Sequence, residues 1–477
     1  MESLPDLVES AINARLRGRQ IHGLALAAFD ADGILFSGGV GFSDLARGER
    51  VAEATVFRAA SISKLLTSSL VLRLAELGLL DLDTPVNEYL PPEQRILDRT
   101  GVAAPIEIRQ LLSHSSGLPA GVRGANVGNP ALSFLANQGR VRTLEDAIAG
   151  LQVTHPPGSR VVYSNPAFNL LGFIAGRVAG RPFELAVREH VLGPLGMTNS
   201  AFTTNRSGPG IATPYGSILP PQVSSKPAHH LQLVGTAMGG LTTSATDLAR
   251  FGRMILNNGV LGTTRLLSAR TLENALTVQA VNHPELQQGF GLGFKLRRWR
   301  DRKTVGHDGN MPGVATQLKI SPADGVGVVV LTNGFALGVP HEIADIALEY
   351  ALALPPEREP GSPVITQGTS RAEWESLGRR STGNYQVLDA SPPGTVGRLL
   401  DLTTRVRVNH EAGGRLRVDG YDGADGPMWL QPDGDLGHYV VASAVDNGSN
   451  AVLDERSDGT HIWCGYSGHL FCPRRGA

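Results

Sequence analysis

Ser61-Ile62-Ser63-Lys64-Leu65-Leu66-Thr67-Ser68-Ser69-Leu70-Val71-Leu72-Arg73-Leu74-Ala75-Glu76-Leu77 is the stretch on which the reading turns. Leu65, Leu66, Leu70, Val71, Leu72, Leu74 and Leu77 cover most of a helix circumference, which predicts a buried helix. Positions i and i+3 share a helix face, so Lys64 lies one turn along from Ser61. A serine hydroxyl is a poor nucleophile until a base takes its proton, and a desolvated lysine can be neutral and act as that base. The helix N-terminus also offers a backbone N–H to a developing oxyanion. The plain alternative is a capping serine with a surface lysine, which fits poorly with a helix that is apolar nearly all round.

Composition sharpens this point. The chain has 477 residues, 43 basic and 44 acidic, for a net charge of -1. Only five of the basic residues are lysine (Lys64, Lys226, Lys295, Lys303 and Lys319), and none of the other four has a serine three residues earlier. Arginine keeps its proton at working pH, whereas a buried lysine can lose it. The near-zero charge gives no electrostatic footprint for nucleic acid or an anionic membrane. Hydrophobic content of 41% supplies a real core. Cys464 and Cys472 are the two cysteines, too few for a disulfide framework or a structural zinc site, and whether they pair is left open. His229 and His230 are adjacent and lack a carboxylate at ligand spacing, so they read as loop residues, and no metal or other cofactor is expected. No apolar run reaches the roughly 18 residues of a membrane span. The first twenty residues have an early acid and helical spacing, so they read as an amphipathic helix and not an export signal. The expected location is the cytoplasm.

Working outward, Leu24–Phe29, the turn Asp30-Ala31-Asp32-Gly33 and Ile34–Phe42 form a hairpin signature. Residues 78–240 alternate short helices with Gly- and Pro-rich loops, and Thr246–Leu256 reads as a helix capped by Ser244 or Thr246. Strands are expected at Val314–Ile320 and Val326–Leu331, with a helix over His341–Leu354. That order predicts an α+β fold, an antiparallel sheet flanked by helices with an all-helical subdomain. Residues 355–370 read as a proline-rich linker. Beyond it, seven short strands between Gly/Asp turns suggest a small antiparallel β-barrel over residues 371–477.

Two further elements carry chemistry. Tyr163-Ser164-Asn165 follows a Pro-Pro-Gly turn and opens a helix through Leu170 and Ile174. A tyrosine there could shuttle a proton if nearby cations lower its pKa, and Asn165 could hydrogen-bond substrate or lysine. In isolation both read as turn and cap residues. His307-Asp308-Gly309-Asn310 precedes the strand that begins near Val314. Gly309 permits close backbone approach, and histidine exchanges protons near neutral pH.

Taken together, the three elements and their order resemble the penicillin-recognising serine enzymes: class C β-lactamases, DD-peptidases, and the related serine esterases and D-aminopeptidases. Ile106–Leu118, Pro194–Met197 and Gly239–Leu241 resemble supporting stretches of that family, and the resemblance covers about residues 10–354. It implies a β-lactamase/transpeptidase-like domain over residues 1–354. Ser61 would be acylated and Lys64 would be its base. Tyr163 would relay protons and Asn165 would orient substrate and Lys64. His307 stands where many members have a lysine. The backbone N–H groups of Ser61 and Asn310 would form the oxyanion hole, and Asp308 and Gly309 would face substrate. The tail is similar to the lipocalin-like domain attached to some such peptidases and peptide-cyclising thioesterases. The implied activity is hydrolysis of short esters, small amides or D-residue peptides through an acyl-enzyme. Acyl transfer to an amine and a catalytically silent scaffold are the alternatives. The implied partner is a small-molecule ester or peptide, with no nucleic acid and no membrane. An aspartate at position 308 would repel a substrate carboxylate if it faces the site, so β-lactams and D-Ala-D-Ala termini are expected to be poor substrates.

Overall fold

The computed structural model describes residues 4–18, 21–98, 100–120, 143–203, 207–216, 225–228, 236–283, 285–286, 288–300, 302–336, 338–355, 364–365, 370–387, 405–419, 428–434, 436, 438–442, 447–456, 459–464 and 470–473. His229 and His230 lie outside them.

The N-terminal hairpin forms as expected, with strands Gly23–Asp30 and Ile34–Asp44. Asp30 closes its turn by accepting the N–H groups of Asp32 and Gly33 on Oδ1, at 2.8 and 2.7 Å. Gly23–Asp30 then pairs with Val326–Thr332, far along the chain. The full sheet has eight antiparallel strands, in the order 49–50, 34–44, 23–30, 326–332, 314–321, 302–311, 295–299 and 289–290.

Strand alternation divides the core into two layers. Leu24, Leu26 and Ala28 face the terminal helices Asp6–Arg17 and Gly338–Ala351, packing with Val8, Ile12, Ile343 and Ala347. Ala25, Ala27 and Phe29 face the other way, into a larger core with Leu65, Leu66, Leu70, Phe168, Leu171 and Phe251. That core belongs to helices Ser63–Glu76, Asn165–Val178 and Ala245–Leu256. Ser244 is the cap of the last of these, accepting from the Asp247 N–H at 3.2 Å. The chain therefore has the α+β fold of an antiparallel sheet flanked by helices.

Four sequence expectations change in detail. The buried helix begins at Ser63, because residues 60–62 form a single 3-10 turn. His307–Asn310 precedes the strand Val314–Ser321 as expected, but belongs to a strand of its own, Arg302–Met311. The expected strand over 461–472 is two strands, Gly459–Cys464 and Leu470–Pro473. The helix Arg371–Arg380 was not expected at all. Its start carries a readable signal, a capping box in which Ser370 and Glu373 bond each other's backbone N–H.

In the C-terminal region, Trp374 of that helix packs edge-on to Tyr439 at 5.1 Å, over a core with Val408, Leu416, Leu430 and Ile462. The strands are 383–387, 405–410, 416–419, 428–434, 438–442, 447–456, 459–464 and 470–473. Each pairs antiparallel with its successor, and the last pairs back with the first. The backbone register seats Cys464 opposite Ala451 and Cys472 opposite Gln386. Within the span expected to be a linker, Val364–Ile365 pairs parallel with residues 433–434. Among the described residues no helix is long and apolar enough to cross a membrane.

Candidate active site

Ser61 sits in the 3-10 turn just ahead of its helix, after Ala60 at φ 49°. A non-glycine residue in that left-handed region is uncommon and strained. Here it turns the chain so that Ser61 stays partly exposed while Ala60 and Ile62 are buried. Ser63 fixes the turn from inside. Its hydroxyl donates to Ala60 O at 2.5 Å and accepts the Leu241 N–H at 2.9 Å.

Lys64 is fully buried. Its amine donates to Ser61 Oγ at 3.1 Å and to Met238 O at 2.8 Å. Among the described residues no carboxylate forms an ion pair with it. Burial is the main reason its pKa falls well below the ordinary lysine value; the Lys295 charge adds to the fall and Asp308 opposes it. Burial thus favours the uncharged amine, close to the hydroxyl. Met238 is a functional contact that sequence reasoning missed, although the neighbouring Gly239-Gly240-Leu241 was singled out.

Tyr163 closes the group. Its hydroxyl is hydrogen-bonded to Ser61, and Lys64 Nζ lies 5.0 Å from its ring centroid. The expectation that cations would lower its pKa is not met. Burial dominates and pushes the phenol upward, with Asp308 adding to the rise and the Ser61 bond opposing it. Tyr163 thus rests as a protonated phenol.

His114, inside a stretch noted only as supporting, proves to be part of the site. Its ring lies 4.4 Å from that of Tyr163 and 4.6 Å from that of Phe290. Its Nδ1 accepts the Ser164 N–H at 3.0 Å, and its backbone O accepts the Val162 N–H at 2.8 Å. It holds both neighbours of Tyr163. Burial keeps it neutral, and the Lys295 charge acts in the same direction. Asn165 occupies the first turn of its helix, behind the cap Ser164. No hydrogen bond joins its side chain to Lys64, so that expected contact is absent in this structure.

The strand Arg302–Met311 brings the third element alongside. The His307 ring centroid is 6.0 Å from that of Tyr163. Its Nδ1 meets Asp308 O at 2.5 Å, which makes Nδ1 the protonated nitrogen of a neutral ring. Burial and the Lys295 charge hold its pKa well below the ordinary value, so it is not the cation of the site. That cation comes from the neighbouring strand: Lys295 Nζ lies 5.5 Å from the Tyr163 ring and 2.7 Å from Asp308 Oδ1. Arg297 binds the same oxygen at 2.5 Å. Asp308 stays ionised because Lys295 and Arg297 outweigh its burial. The repulsion expected of Asp308 toward a substrate carboxylate is therefore offset by two adjoining cations.

Gly309 is where the strand and the Ser61 turn touch. A Cβ there would lie 2.4 Å from Ala59 O and 3.0 Å from Ser61 N. Asn310, next along, is exposed and pairs with Ala315. Ser61, Tyr163, Asn165 and Asn310 all keep solvent access, while Lys64, His307 and Asp308 lie beneath them.

The family model described as Beta-lactamase matches residues 8–353. The chain belongs to the β-lactamase family. Penicillin-binding protein 4 of Amycolatopsis lactamdurans is 30% identical over 327 residues, covering 66% of this chain and 81% of the relative. A D-stereospecific amidohydrolase from Streptomyces sp. is similar in structure, with a TM-score of 0.57 and 25% identity over 71% of this chain and 97% of the other. EstCE1, described as a hydrolase with promiscuous acyltransferase activity, superposes with a TM-score of 0.60 at 22% identity, covering 71% and 97%. This member of the β-lactamase family thus resembles a penicillin-binding protein, a D-stereospecific amidohydrolase and a hydrolase with promiscuous acyltransferase activity. Among the described residues no His, Cys, Asp or Glu cluster is placed to hold a metal ion.

Proposed function

We propose that the chain is a serine hydrolase that forms an acyl-enzyme at Ser61 on short esters and small amides, D-residue amides and peptides included. One observation carries this: a buried Lys64 amine lies 3.1 Å from Ser61 Oγ, its pKa is held well below the ordinary lysine value mainly by burial, and among the described residues no carboxylate is ion-paired with it. Structural ion pairs do not leave a lysine in that state.

The steps follow from the resting protonation states. Lys64 Nζ takes the Ser61 proton as Oγ bonds to the substrate carbonyl carbon, and negative charge moves to the carbonyl oxygen. The Ser61 and Asn310 N–H groups receive that oxygen; losing one such donor typically costs about 2.7–4 kcal/mol. As the carbonyl reforms, the bond to the leaving group breaks. Tyr163 hands that group its phenolic proton and recovers one from the Lys64 ammonium. The product is an acyl-serine with both bases restored. Water then attacks the ester by the reverse route. His307 and Gly309 line the strand against which substrate lies, with Asp308, Lys295 and Arg297 as its charged support.

Residues 1–354 form the hydrolase domain in this reading, and 355–370 the linker. Residues 371–477 are a small lipocalin-like barrel, a reading supported by the ladder in which the last strand returns to the first. A carboxylate-bearing substrate, a β-lactam among them, meets a compensated aspartate, so charge repulsion at position 308 is a weaker barrier than the sequence implied. Acyl transfer uses the same acyl-serine with an amine in place of water, and EstCE1 carries that activity in its description.

Intact-protein mass spectrometry after exposure to a fluorophosphonate and a panel of esters, D-amino-acid amides and β-lactams tests the proposal. A single adduct on Ser61, lost in Ser61→Ala, is expected. No adduct with any probe would leave the silent scaffold standing. Adding amine acceptors separates transfer from hydrolysis.

A further inference from the structure

Tyr163 hangs on a short extended segment, and the backbone of that segment is gripped by a side chain from far along the sequence. Val161 N–H donates to Asn282 Oδ1 at 2.7 Å, and Asn282 Nδ2 donates to Val161 O at 3.1 Å. One carboxamide thus satisfies both backbone groups of the residue two before Tyr163, as a neighbouring strand would. The same stretch of chain reaches the tyrosine a second time through Phe290, whose ring centroid is 6.1 Å from that of Tyr163.

The other side of this stretch faces the C-terminal region. Leu286 is buried in a small apolar cluster with Val452 and Trp463. The His283 ring lies 5.9 Å from the Trp463 ring. His283 in turn organises the local turn, since its O accepts the Leu286 N–H at 3.0 Å and its Nδ1 accepts the Glu285 N–H at 3.3 Å. Asn282 is therefore the residue next to one that the C-terminal sheet holds.

We infer that Asn282 is a positioning residue for Tyr163, and that the C-terminal sheet braces it through Trp463 packed on His283 and Leu286. The C-terminal region is then part of the catalytic apparatus and not an independent attachment. This rests on Tyr163 acting as the proton relay proposed above. Asn282 binds the Val161 backbone and Trp463 packs on His283, so their loss acts through the placement of the tyrosine hydroxyl. A displacement of about 1 Å in a reacting group can cost as much as about 10²-fold in rate.

The experiment uses the full chain. Asn282→Ala, Trp463→Ala, Leu286→Ala and the Asn282/Trp463 double variant are assayed with p-nitrophenyl acetate. In parallel, 3-fluorotyrosine is placed at position 163 and its ¹⁹F resonance recorded. Asn282→Ala should lower kcat about tenfold or more with KM within about twofold. Trp463→Ala should lower it less, and the double variant should be no worse than Asn282→Ala, because both act on one element. Both single variants should shift the ¹⁹F signal, and Trp463→Phe, which keeps a ring on His283, should largely restore it. Leu286→Ala repeats the test from the catalytic side if Trp463→Ala unfolds the C-terminal strands. An unmoved ¹⁹F resonance in Trp463→Ala and Leu286→Ala, or strictly additive losses of kcat, would overturn the brace. If the wild-type chain neither labels nor turns over, the hydrolase reading fails by itself, and the ¹⁹F shifts still decide the brace.

Discussion

Two groups of ionisable side chains are buried within a few ångströms of Ser61, and the chain treats them in opposite ways. On the helix side, Lys64 goes into the interior with no ion-paired carboxylate among the described residues, and its pKa falls well below the ordinary lysine value. On the strand side, Asp308 goes in with Lys295 and Arg297 and keeps its charge. Burying a charge is costly unless it is paired or neutralised, and this protein uses both remedies side by side. The lone group is the base of the proposed reaction. The paired group becomes fixed charge, an electrostatic floor that also biases its neighbours: the Lys295 cation helps keep Lys64, His114 and His307 unprotonated.

If the contrast is right, the two sides should fail differently when cut. Lys64→Met should lower kcat/KM for ester hydrolysis by about 10²–10⁴-fold, the usual worth of general-base catalysis. Its stability should hold or rise. In the native state the Lys64 pKa is depressed, so the unfolded chain takes up a proton below the ordinary lysine pKa that the fold resists. The gain from removing the amine should therefore appear at neutral pH and vanish above about pH 10.5. A parallel loss of activity and melting temperature would show that Lys64 is a structural residue.

Asp308→Asn should do the reverse. It takes the carboxylate away from two buried cations and should cost about 3–5 kcal/mol of stability by chemical denaturation. A cost near zero would mean that solvent reaches the group and that the floor is not fixed charge.

His341, on the helix beneath, faces the same cluster. Burial holds its pKa down to about 3, with Arg297 and Lys319 assisting and Asp308 opposing. A depressed histidine costs nothing above its unfolded pKa near 6.5 and destabilises progressively as pH falls from there toward 3, by about 1.4 kcal/mol per unit. His341→Gln should thus lose less stability than wild type between pH 7 and 4. Equal losses would place the acid sensitivity elsewhere.

The smallest effect is expected from Lys295→Met. Removing this cation raises the Lys64 pKa, so the acidic limb of the kcat/KM profile should move to higher pH. A shift to lower pH would reverse the assigned sign.

How much of this was readable in the sequence follows from how far apart the partners lie. Ser61 and Lys64 are three residues apart on one helix, so their meeting is local geometry. The hairpin at 23–44 and the Ser244 cap were legible for the same reason. The Lys295–Asp308 pair depends on the register of two strands, in which Lys295 pairs with Gly306. No short-range pattern fixes that register, although the rarity of lysine was a hint. His114 lies within the supporting stretch Ile106–Leu118 but was given no role, because its task is to hold the backbone on both sides of a residue about fifty positions away. The state of Tyr163 was misread because composition counts cations and says nothing of the desolvation that opposes them. Helix Arg371–Arg380 went unseen despite its Ser370–Glu373 signature, since a strand-rich context drew attention to alternation.

Gly309 bears on how this site can be re-engineered. Its missing side chain is what lets the strand lie flush with the amide of Ser61, where even a methyl group would strike Ala59 O. Saturation libraries at this position should return glycine alone, whatever substrate is used for selection. Diversity aimed at new specificity belongs at Asn310 and Asn165, which keep solvent access and can change shape without prising the two halves of the cleft apart.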